Sequence, residues 1–371
     1  MKGGPDKAIA MDSMRSRPSL REKIGQMLLV GFRGYEIGGG DSIAGDLAER
    51  NIGGVILFDE EMADPARRGR NIQSPEQVRA LTGALRRYAQ TPPLIAIDQE
   101  GGRVNRLKPA YGFPETLSHE ELGAMNDPAR TFAEAEKIAR TLAGLGINLN
   151  LAPVVDLDAG PDNPIIRGKK RSFGADPERV SRHAMEFARA HRQHGILTCA
   201  KHFPGHGSAR GDTHLGLVDV TKYWTERELA PFQRLIEAKL CDAVMTAHVF
   251  NACLDPDRPA TLSQNVLGGL LRRRLGFEGV ILSDDMEMKA ISGQYGLEQA
   301  IQMGLEAGLD MLCFGNNMKF DADIGAKVSE IIYRLVDSGK LAESRIDESY
   351  QRIQQLKGRN TASLREKHET G

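Results

Sequence analysis

The chain has 371 residues, of which 40% are hydrophobic and 27% charged, and its formal net charge at pH 7 is −1. This composition is typical of a soluble globular protein with a large core, and it excludes the bulk basicity with which nucleic-acid-binding proteins attract phosphate. Since no apolar run approaches the ~20 residues of a membrane span, we expect no membrane-spanning segment, and a small molecule is the expected partner.

The cysteines and the N-terminal segment bear on the compartment. Cys199 and Cys313 lie inside apolar runs, Cys241 opens another, Cys253 lies in a loop, and none forms a C-x-x-C pair. This usage predicts reduced, buried thiols. Residues 1–18 also lack the apolar core of about 7 to 15 residues that a secretory signal contains. We therefore expect a cytoplasmic protein.

From residue 20 to about residue 357, short apolar runs alternate with longer amphipathic ones. This alternation is typical of an α/β fold with parallel strands. The apolar runs that we predict to be strands are 26–32, 54–58, 94–98, 148–156, 196–202, 242–248, 279–284 and 310–314.

Helix boundaries are marked between these runs. An N-cap acceptor followed by Pro or by acidic residues predicts a helix start, and a glycine just before a strand predicts a helix end. The predicted starts are Ser74-Pro75-Glu76-Gln77, Asp127-Pro128, Asp176-Pro177 and Thr225-Glu226-Arg227-Glu228, and the predicted ends are Gly146, Gly195 and Gly308.

Eight strand–helix units over this length predict a (β/α)8 TIM barrel in a single domain, with residues 1–19 as a mobile N-terminal segment, 20–357 as the barrel, and 358–371 as a flexible tail. A doubly wound open sheet is the alternative. That fold needs a switch point and usually a Gly-rich phosphate turn after its first strand, and Gly31-Phe32-Arg33-Gly34 is not G-x-G-x-x-G.

In a TIM barrel, functional residues should follow the strands. They do: the polar residues that come at or just after strand ends include Asp98, Arg103, Arg106, Asp156, Asp158, the loop that starts at Lys201, His248, Asp284 and Asp285. The turns that lead from helices into strands hold Gly, Leu and Ile instead.

The loop after the fifth run carries the densest chemistry in the chain. Residues 201–207 read Lys-His-Phe-Pro-Gly-His-Gly, and Asp212-Thr213-His214 follows. A histidine two residues beyond an aspartate can have its tautomer fixed by that carboxylate and can exchange a proton near neutral pH. His202 and His206 do not predict a metal site, because Pro204 and Gly205 preclude the helix on which H-x-x-x-H ligands lie. We expect no cofactor.

Asp284 and Asp285 are adjacent carboxylates at the end of the seventh run. If the alternation of Val280 and Leu282 continues, Asp284 faces the barrel mouth and Asp285 binds backbone or a neighbour. A carboxylate in the mouth opposite a proton donor is the arrangement that glycoside hydrolysis with retention requires. Alternatively, Asp284 only caps the following helix.

Four motifs together resemble the family 3 glycoside hydrolases, and within them the single-domain bacterial β-N-acetylglucosaminidases of cell-wall recycling. The similarity covers most of residues 20–357. The motifs are Ile-Asp-Gln-Glu-Gly-Gly-Arg-Val-x-Arg at 97–106, Arg-Ser-Phe-Gly at 171–174, the loop 201–214, and Ser-Asp-Asp-Met at 283–286.

The resemblance implies a role for each matching residue. Asp284 is the implied nucleophile, His214 the general acid and base, and Asp212 its orienting partner. The implied sugar-binding residues are Asp98, Arg106, Arg171, Lys201 and His202. Arg103 is expected to support Asp98 or the loop. One departure is Leu-Gly-Leu-Val after His214, where some members have Lys-Glu-Thr-Pro.

The implied reaction is the release of terminal β-linked N-acetylglucosamine from muropeptides or related glycans through a covalent glycosyl-aspartate, by an enzyme that we expect to be a monomer. Three alternatives stay open: a family 3 phosphorylase with phosphate as acceptor, a β-glucosidase or xylosidase, and a sugar-binding protein without catalysis. Members of the second group usually carry their acid on a second domain that this chain lacks.

Overall fold

A computed structural model describes residues 17–62 and 69–369. Its centre is a closed barrel of eight parallel strands in the order 1-2-3-4-5-6-7-8, in which the first strand pairs with both the second and the eighth. The (β/α)8 barrel predicted from the sequence is confirmed, and the open sheet is excluded because the ring is closed. The strands are β1 (Leu28–Gly31), β2 (Gly54–Leu57), β3 (Leu94–Ile97), β4 (Leu149–Asn150), β5 (Leu197–Phe203), β6 (Ala243–Thr246), β7 (Val280–Asp285) and β8 (Met311–Phe314).

Helices surround the ring, and their buried side chains form one hydrophobic core with those of the strands. They are α1 (Leu20–Gln26), α2 (Ser42–Ala48), α3 (Pro75–Tyr88), α4 (His119–Met125), α5 (Pro128–Gly144), α6 (Pro177–Gln193), α7 (Ala230–Glu237), α8 (Lys289–Ser292), α9 (Leu297–Ala307), α10 (Ile324–Asp337) and α11 (Glu343–Glu369). A π-helical segment (Asn265–Arg274) follows β6, and short 3-10 turns occupy Pro109–Tyr111, Glu226–Leu229 and Ala260–Leu262. Outside the ring, Gln99–Gly101 pairs with Val104–Asn105, and Val218–Asp219 pairs with Val249–Phe250.

Three predicted helix starts with N-cap residues and two predicted helix ends with glycine are confirmed. Asp127 and Asp176 each accept hydrogen bonds from two backbone N–H groups of the first turns of α5 and α6, and Ser74 accepts one from Gln77. Gly146 and Gly308 have φ angles of 74° and 119°, which only glycine adopts without strain. The chain can therefore turn sharply from a helix into the next strand.

The fourth predicted strand is much shorter than expected. We predicted 148–156, whereas regular pairing is confined to Leu149–Asn150. Pro153 has no backbone N–H to donate, so the ladder with β5 becomes irregular and continues only as single contacts, including the bridge between Val154 and Lys201.

A buried carboxylate, Asp310, lies just before β8 and accepts the backbone N–H of Ile281 in β7. Its two oxygens accept hydrogen bonds from three guanidinium groups, those of Arg272, Arg345 and Arg352, at 2.5 to 3.0 Å. Since Arg345 and Arg352 lie on α11, this cluster fastens the last helix to the base of the barrel.

The predicted domain boundaries at residues 19 and 357 can be compared with the structure only in part. The segment 1–19 lies outside the described residues except for its last three. Helix α11 runs from Glu343 to Glu369 and so continues past the boundary that we set at residue 357. The flexibility of 358–371 stays a prediction.

The cysteine predictions are right for three of four thiols. Cys199, Cys241 and Cys313 are buried and free, whereas Cys253 is free but exposed. Cys253 lies in a surface loop after β6, outside the apolar runs that bury the others. Among the described residues, no helix is long and apolar enough to cross a membrane.

Candidate active site

A cavity of about 400 Å³ lies at the carboxyl ends of the strands, where a TIM barrel carries its site. The sequence analysis assigned three catalytic and five sugar-binding residues. Seven of these eight line the cavity, and the eighth, Asp212, is hydrogen-bonded to His214, which does. The lining residues among them are Asp98, Arg106, Arg171, Lys201, His202, His214 and Asp284.

Asp212 and His214 form a hydrogen-bonded pair on the loop after β5. The Nδ1 atom of His214 lies 2.7 Å from Oδ1 of Asp212, and the same oxygen accepts the backbone N–H of His214 at 2.9 Å. Burial raises the pKa of Asp212, but these two hydrogen bonds outweigh it and hold the pKa below its usual value. An ionised Asp212 keeps the proton on Nδ1 and leaves Nε2 of His214 to exchange protons.

Asp284 and Asp285, at the end of β7, have different surroundings. Burial raises the pKa of Asp284, but the nearby His248, His202 and His214 bring it down to about 2. Burial raises the pKa of Asp285 to about 6, although that carboxylate accepts the N–H groups of Glu287 and Gly315. The carboxylate of Asp284 therefore stays ionised to a much lower pH than that of Asp285, which accepts backbone N–H groups and also lines the cavity.

A buried cluster of opposite charges lines the cavity between β3 and β5. The ammonium of Lys201 lies 2.6 Å from Asp98 Oδ1 and 2.8 Å from Glu100 Oε1. Arg171 donates two hydrogen bonds of 2.8 Å to Glu100, one from Nε and one from Nη2. These contacts fix the positions of Asp98, Lys201 and Arg171, and each keeps part of its hydrogen-bonding capacity for a ligand.

The two arginines of the 97–106 motif lie at the rim. Arg106 is 3.7 Å from Asp98 Oδ2 and 3.5 Å from the buried Asp59. Arg103 donates a hydrogen bond of 2.8 Å to the carbonyl of Gly168 and so supports the loop after β4, which is not the 201–214 loop named in the prediction.

Asp156 is a buried hub beneath the His-rich loop. It lies 2.7 Å from Nδ1 of His202, and it accepts the backbone N–H of His206 at 2.7 Å. Burial raises its pKa, but His202 and His206 outweigh this and lower it. Because Nδ1 of His202 is held by Asp156, its Nε2 lies toward Arg171, 3.2 Å from Nη2. This arrangement positions His202 in the cavity wall.

The same loop is supported from below by Glu228. Its Oε2 atom accepts the backbone N–H of Gly207 at 3.1 Å, and the residue is 1% exposed. Burial raises the pKa of Glu228 to about 7. The Glu228 side chain thus carries little or no charge below neutral pH.

His248, one of the polar residues predicted at strand ends, is buried outside the cavity lining. Its ring nitrogens lie 2.8 Å from the hydroxyl of Thr261 and 2.9 Å from the carbonyl oxygen of Asp285. This second contact makes His248 a support for the end of β7, next to Asp284.

Several residues around the cavity were not singled out as site residues. Glu100 and Asp156 were visible in the strand-end motifs, but their roles depend on contacts across loops. Lys169 and Met318 come from longer loops with no local signal, and Met288 comes from the short connection between β7 and α8. Among the residues that the structure covers, no group of three or more His, Cys, Asp or Glu side chains could hold a metal ion.

Comparison with known proteins places these features in a family. Residues 19–356 match the glycosyl hydrolase family 3 N terminal domain. A curated beta-hexosaminidase of Tolumonas auensis is 38% identical over 276 residues, which is 73% of this chain and 78% of that protein.

Two solved structures share the fold. The family 3 beta-N-acetylglucosaminidase of Paenibacillus sp. str. FPU-7 superposes with a TM-score of 0.84 at 37% identity, over 93% of this chain but 63% of that longer one. The beta-N-acetylhexosaminidase of Beutenbergia cavernae has a TM-score of 0.82 at 29% identity, over 93% of this chain and 100% of that one. With a family match over most of its length and these relatives, the chain belongs to glycosyl hydrolase family 3 and is a glycoside hydrolase.

Proposed function

We propose that the protein is a retaining exo-β-N-acetylglucosaminidase that works through a covalent glycosyl-Asp284. The observation that carries the proposal is the Asp212–His214 pair, with a separation of 2.7 Å, next to a cavity that Asp284 also lines. A proton carrier with a fixed tautomer and an ionised carboxylate in one cavity are the two groups that a double displacement needs.

In the first step, Asp284 attacks the anomeric carbon while His214 donates a proton to the glycosidic oxygen, so that the leaving group departs as a neutral alcohol. Asp284 has its pKa lowered to about 2, which keeps it ionised for the attack. Protonated His214 carries hydrogens on both ring nitrogens: Nδ1 donates to Asp212, and Nε2 gives up the transferred proton.

In the second step, His214 is neutral and takes a proton from water. The hydroxide that forms attacks the anomeric carbon, the bond to Asp284 breaks, and the carboxylate returns to its ionised state. Two inversions at the same carbon give retention of configuration. The water proton restores the imidazolium for the next cycle.

Sugar recognition is assigned to Asp98, Arg106, Arg171, Lys201 and His202. Asp98 offers carboxylate oxygens to sugar hydroxyls, while Lys201 and Arg171 offer N–H donors to hydroxyl and acetamido oxygens. Glu100 fixes both of these cations by the hydrogen bonds described above, so the donors are placed before the sugar arrives.

The wider setting is part of the proposal. The names of the curated relatives point to hexosaminides, and the resemblance to the cell-wall recycling enzymes points to muropeptides as the source of the terminal N-acetylglucosamine, hence to peptidoglycan recycling. Four free thiols suit the reducing cytoplasm. We place the enzyme there as a monomer, without a metal or cofactor in the reaction.

The test is hydrolysis of an aryl β-N-acetylglucosaminide, with and without phosphate. Release of free N-acetylglucosamine at a rate independent of phosphate supports the proposal. A phosphate-dependent rate with a sugar 1-phosphate product identifies a phosphorylase, and binding of N-acetylglucosamine without turnover identifies a sugar-binding protein. Either of these two results overturns the hydrolase assignment.

A further inference from the structure

The loop that follows β5 consists of two parts that are held very differently. Residues 205–209 are buried. The side-chain amide of Asn163 donates to the carbonyls of His206 and Gly207, at 2.8 and 3.0 Å, while Asp156 and Glu228 accept the N–H groups of the same two residues. This first part is a fixed platform.

The second part, residues 210–216, carries Asp212 and His214 but has few attachments. Within the described chain, two hydrogen bonds link it to other segments: the N–H of Ala290 donates to the carbonyl of Thr213 at 3.2 Å, and Nε2 of His206 lies 3.4 Å from the hydroxyl of Thr213. Arg210 also lies over the ring of Tyr223, 3.8 Å from its centroid. Both hydrogen bonds therefore end at one residue.

Thr213 lies between Asp212 and His214 in the sequence and, unlike these two residues, is buried. Thr213 is 3% exposed, whereas the side chains of Asp212 and His214 are 25% and 35% exposed, and Leu215 is 75% exposed. Its side chain packs inward against the platform, and its carbonyl binds the segment that directly follows the strand of Asp284. Among the described residues, the hydrogen bonds that join the segment with the proton carrier to the platform and to α8, the helix after the strand of Asp284, all involve Thr213.

We propose that Thr213 and His206 are positioning residues that set where the Asp212–His214 pair stands relative to Asp284. The proposal rests on the proposed function, since it assumes that His214 transfers the proton. Asp156 extends the arrangement: it holds the backbone of His206 and the imidazole of His202, so the cavity wall and the proton carrier share one buried anchor.

The contact suits this task because it does not change with the catalytic proton. Burial lowers the pKa of His206 to about 4, so its ring stays neutral across the working range of a histidine acid. A hydrogen bond between a neutral ring and a hydroxyl holds the backbone of Thr213 without adding a charge beside His214. Its strength is therefore the same in both catalytic steps.

The experiment compares Thr213→Val, which removes the hydroxyl at nearly constant shape, with Thr213→Ser, which keeps it. The matched control is Thr141→Val on α5, whose hydroxyl donates to the carbonyl of Lys137 and does not line the cavity. Each is assayed on two β-N-acetylglucosaminides, one with a dinitrophenolate leaving group and one with a sugar or alkyl leaving group. Thermal unfolding of each variant reports folding.

We expect Thr213→Val to lose on the order of 10- to 100-fold in kcat/KM on the sugar or alkyl substrate, and several-fold less on the dinitrophenyl substrate, because misplacing the acid by a fraction of an ångström matters only where protonation is needed. Thr213→Ser should recover most of the loss. Thr141→Val should match the wild type on both substrates.

A double-mutant cycle with His206→Asn tests the pairing. If the two residues act through one contact, the double variant loses no more than the more damaging single variant. Equal losses of Thr213→Val on both substrates, wild-type rates on both, or additive losses in the cycle each overturn the inference. His214→Ala is assayed alongside: if it shows no dependence on the leaving group, then the assignment of the proton donor has failed instead.

Discussion

Arg171 and Glu100 join the loop after β4 to the end of β3 through two hydrogen bonds of 2.8 Å, on one edge of the cavity. Glu100 is 1% exposed and also contacts Lys201, so one buried carboxylate balances two cations. Although burial alone would raise the pKa of Glu100, Arg171 and Lys201 lower it well below its usual value. The cavity wall therefore depends on a buried residue that does not itself line the cavity.

Replacing Glu100 with Gln should be costly for folding. The change keeps the shape but leaves Arg171 and Lys201 without their shared counter-charge in a buried place, so we expect a loss of about 3 to 5 kcal/mol in the free energy of unfolding. Urea unfolding measures it. Glu226→Gln removes an exposed partner of Arg274 and should produce no measurable change. Equal midpoints for the two variants would contradict the role given to Glu100.

Replacing Asp284 with Ala should lower kcat by at least ~10³-fold, because the covalent step loses its nucleophile while Asp285, which also lines the cavity, is held by two backbone N–H groups. A 2-fluoro substrate should leave a glycosyl ester on the wild-type Asp284, detected by peptide mass. Since the pKa of Asp284 is about 2, an acid limb of kcat/KM above pH 4 should not arise from this residue. Near wild-type rates in the variant, or an ester on Asp285, would assign the nucleophile elsewhere.

Replacing His214 with Ala should affect substrates according to their leaving group. A low-pKa phenol departs with little protonation, so its hydrolysis should lose little in the first step, whereas a sugar leaving group should lose about 10² to 10⁴-fold. Asp212→Ala should give a milder form of the same pattern. The pH profile of the wild type should lose the limb of the histidine in His214→Ala. Equal losses on both substrates would point to a structural role.

The choice of sugar follows from a wall built of charged donors. Buried donors that expect an acetamido carbonyl stay unpaired when glucose is bound, and unpaired groups of this kind discriminate strongly. We expect kcat/KM for an aryl β-N-acetylglucosaminide to exceed that of the matched β-glucoside by ~10²-fold or more. Comparable values, or a preference for glucose or xylose, would overturn the substrate while leaving the catalytic residues in place.

Glu228 should make stability depend on pH. Burial raises its pKa to about 7 in the folded protein, above the ordinary carboxyl value, so its protonated form is favoured on folding. The stabilisation that protonated Glu228 gives the folded protein is therefore complete below about pH 4.5 and is lost as the pH rises through 7. The free energy of unfolding falls by roughly 3 kcal/mol over this range. Glu228→Gln mimics the protonated form, and its melting temperature should exceed that of the wild type at pH 8 but not at pH 4.5. A constant difference between the two proteins would contradict this.

The sequence predicts the barrel well because apolar runs and helix caps are local signals. Seven of the eight strands come within two residues of their predicted ends, and the exception is β4, whose predicted run 148–156 contains Pro153. The cavity follows from the fold, since parallel strands bring residues such as Asp98, Lys201 and Asp284 to one end of the ring.

The supporting residues could not be found in the same way. Glu100 stands beside Gln99 and Gly101 on a short ribbon, and its contact with Arg171 spans 71 positions of the chain. Thr213 looks like a spacer between Asp212 and His214, and only the packing of the loop shows that its side chain is buried. Such roles depend on distances between loops, which no periodicity or propensity encodes.

The uneven attachment of the loop after β5 has a chemical consequence under the proposed roles. Residues at the strand ends and on the fixed platform select the sugar, whereas His214, on the segment 210–216, transfers the proton. Thr213 attaches that segment to the platform. A variant without the imidazole, such as His214→Gly, should still form the glycosyl ester from an activated donor and hold it longer. Small anions that need no deprotonation, such as azide, could then intercept the ester, and the hydrolase would become a catalyst of glycosyl transfer with unchanged preference for its sugar.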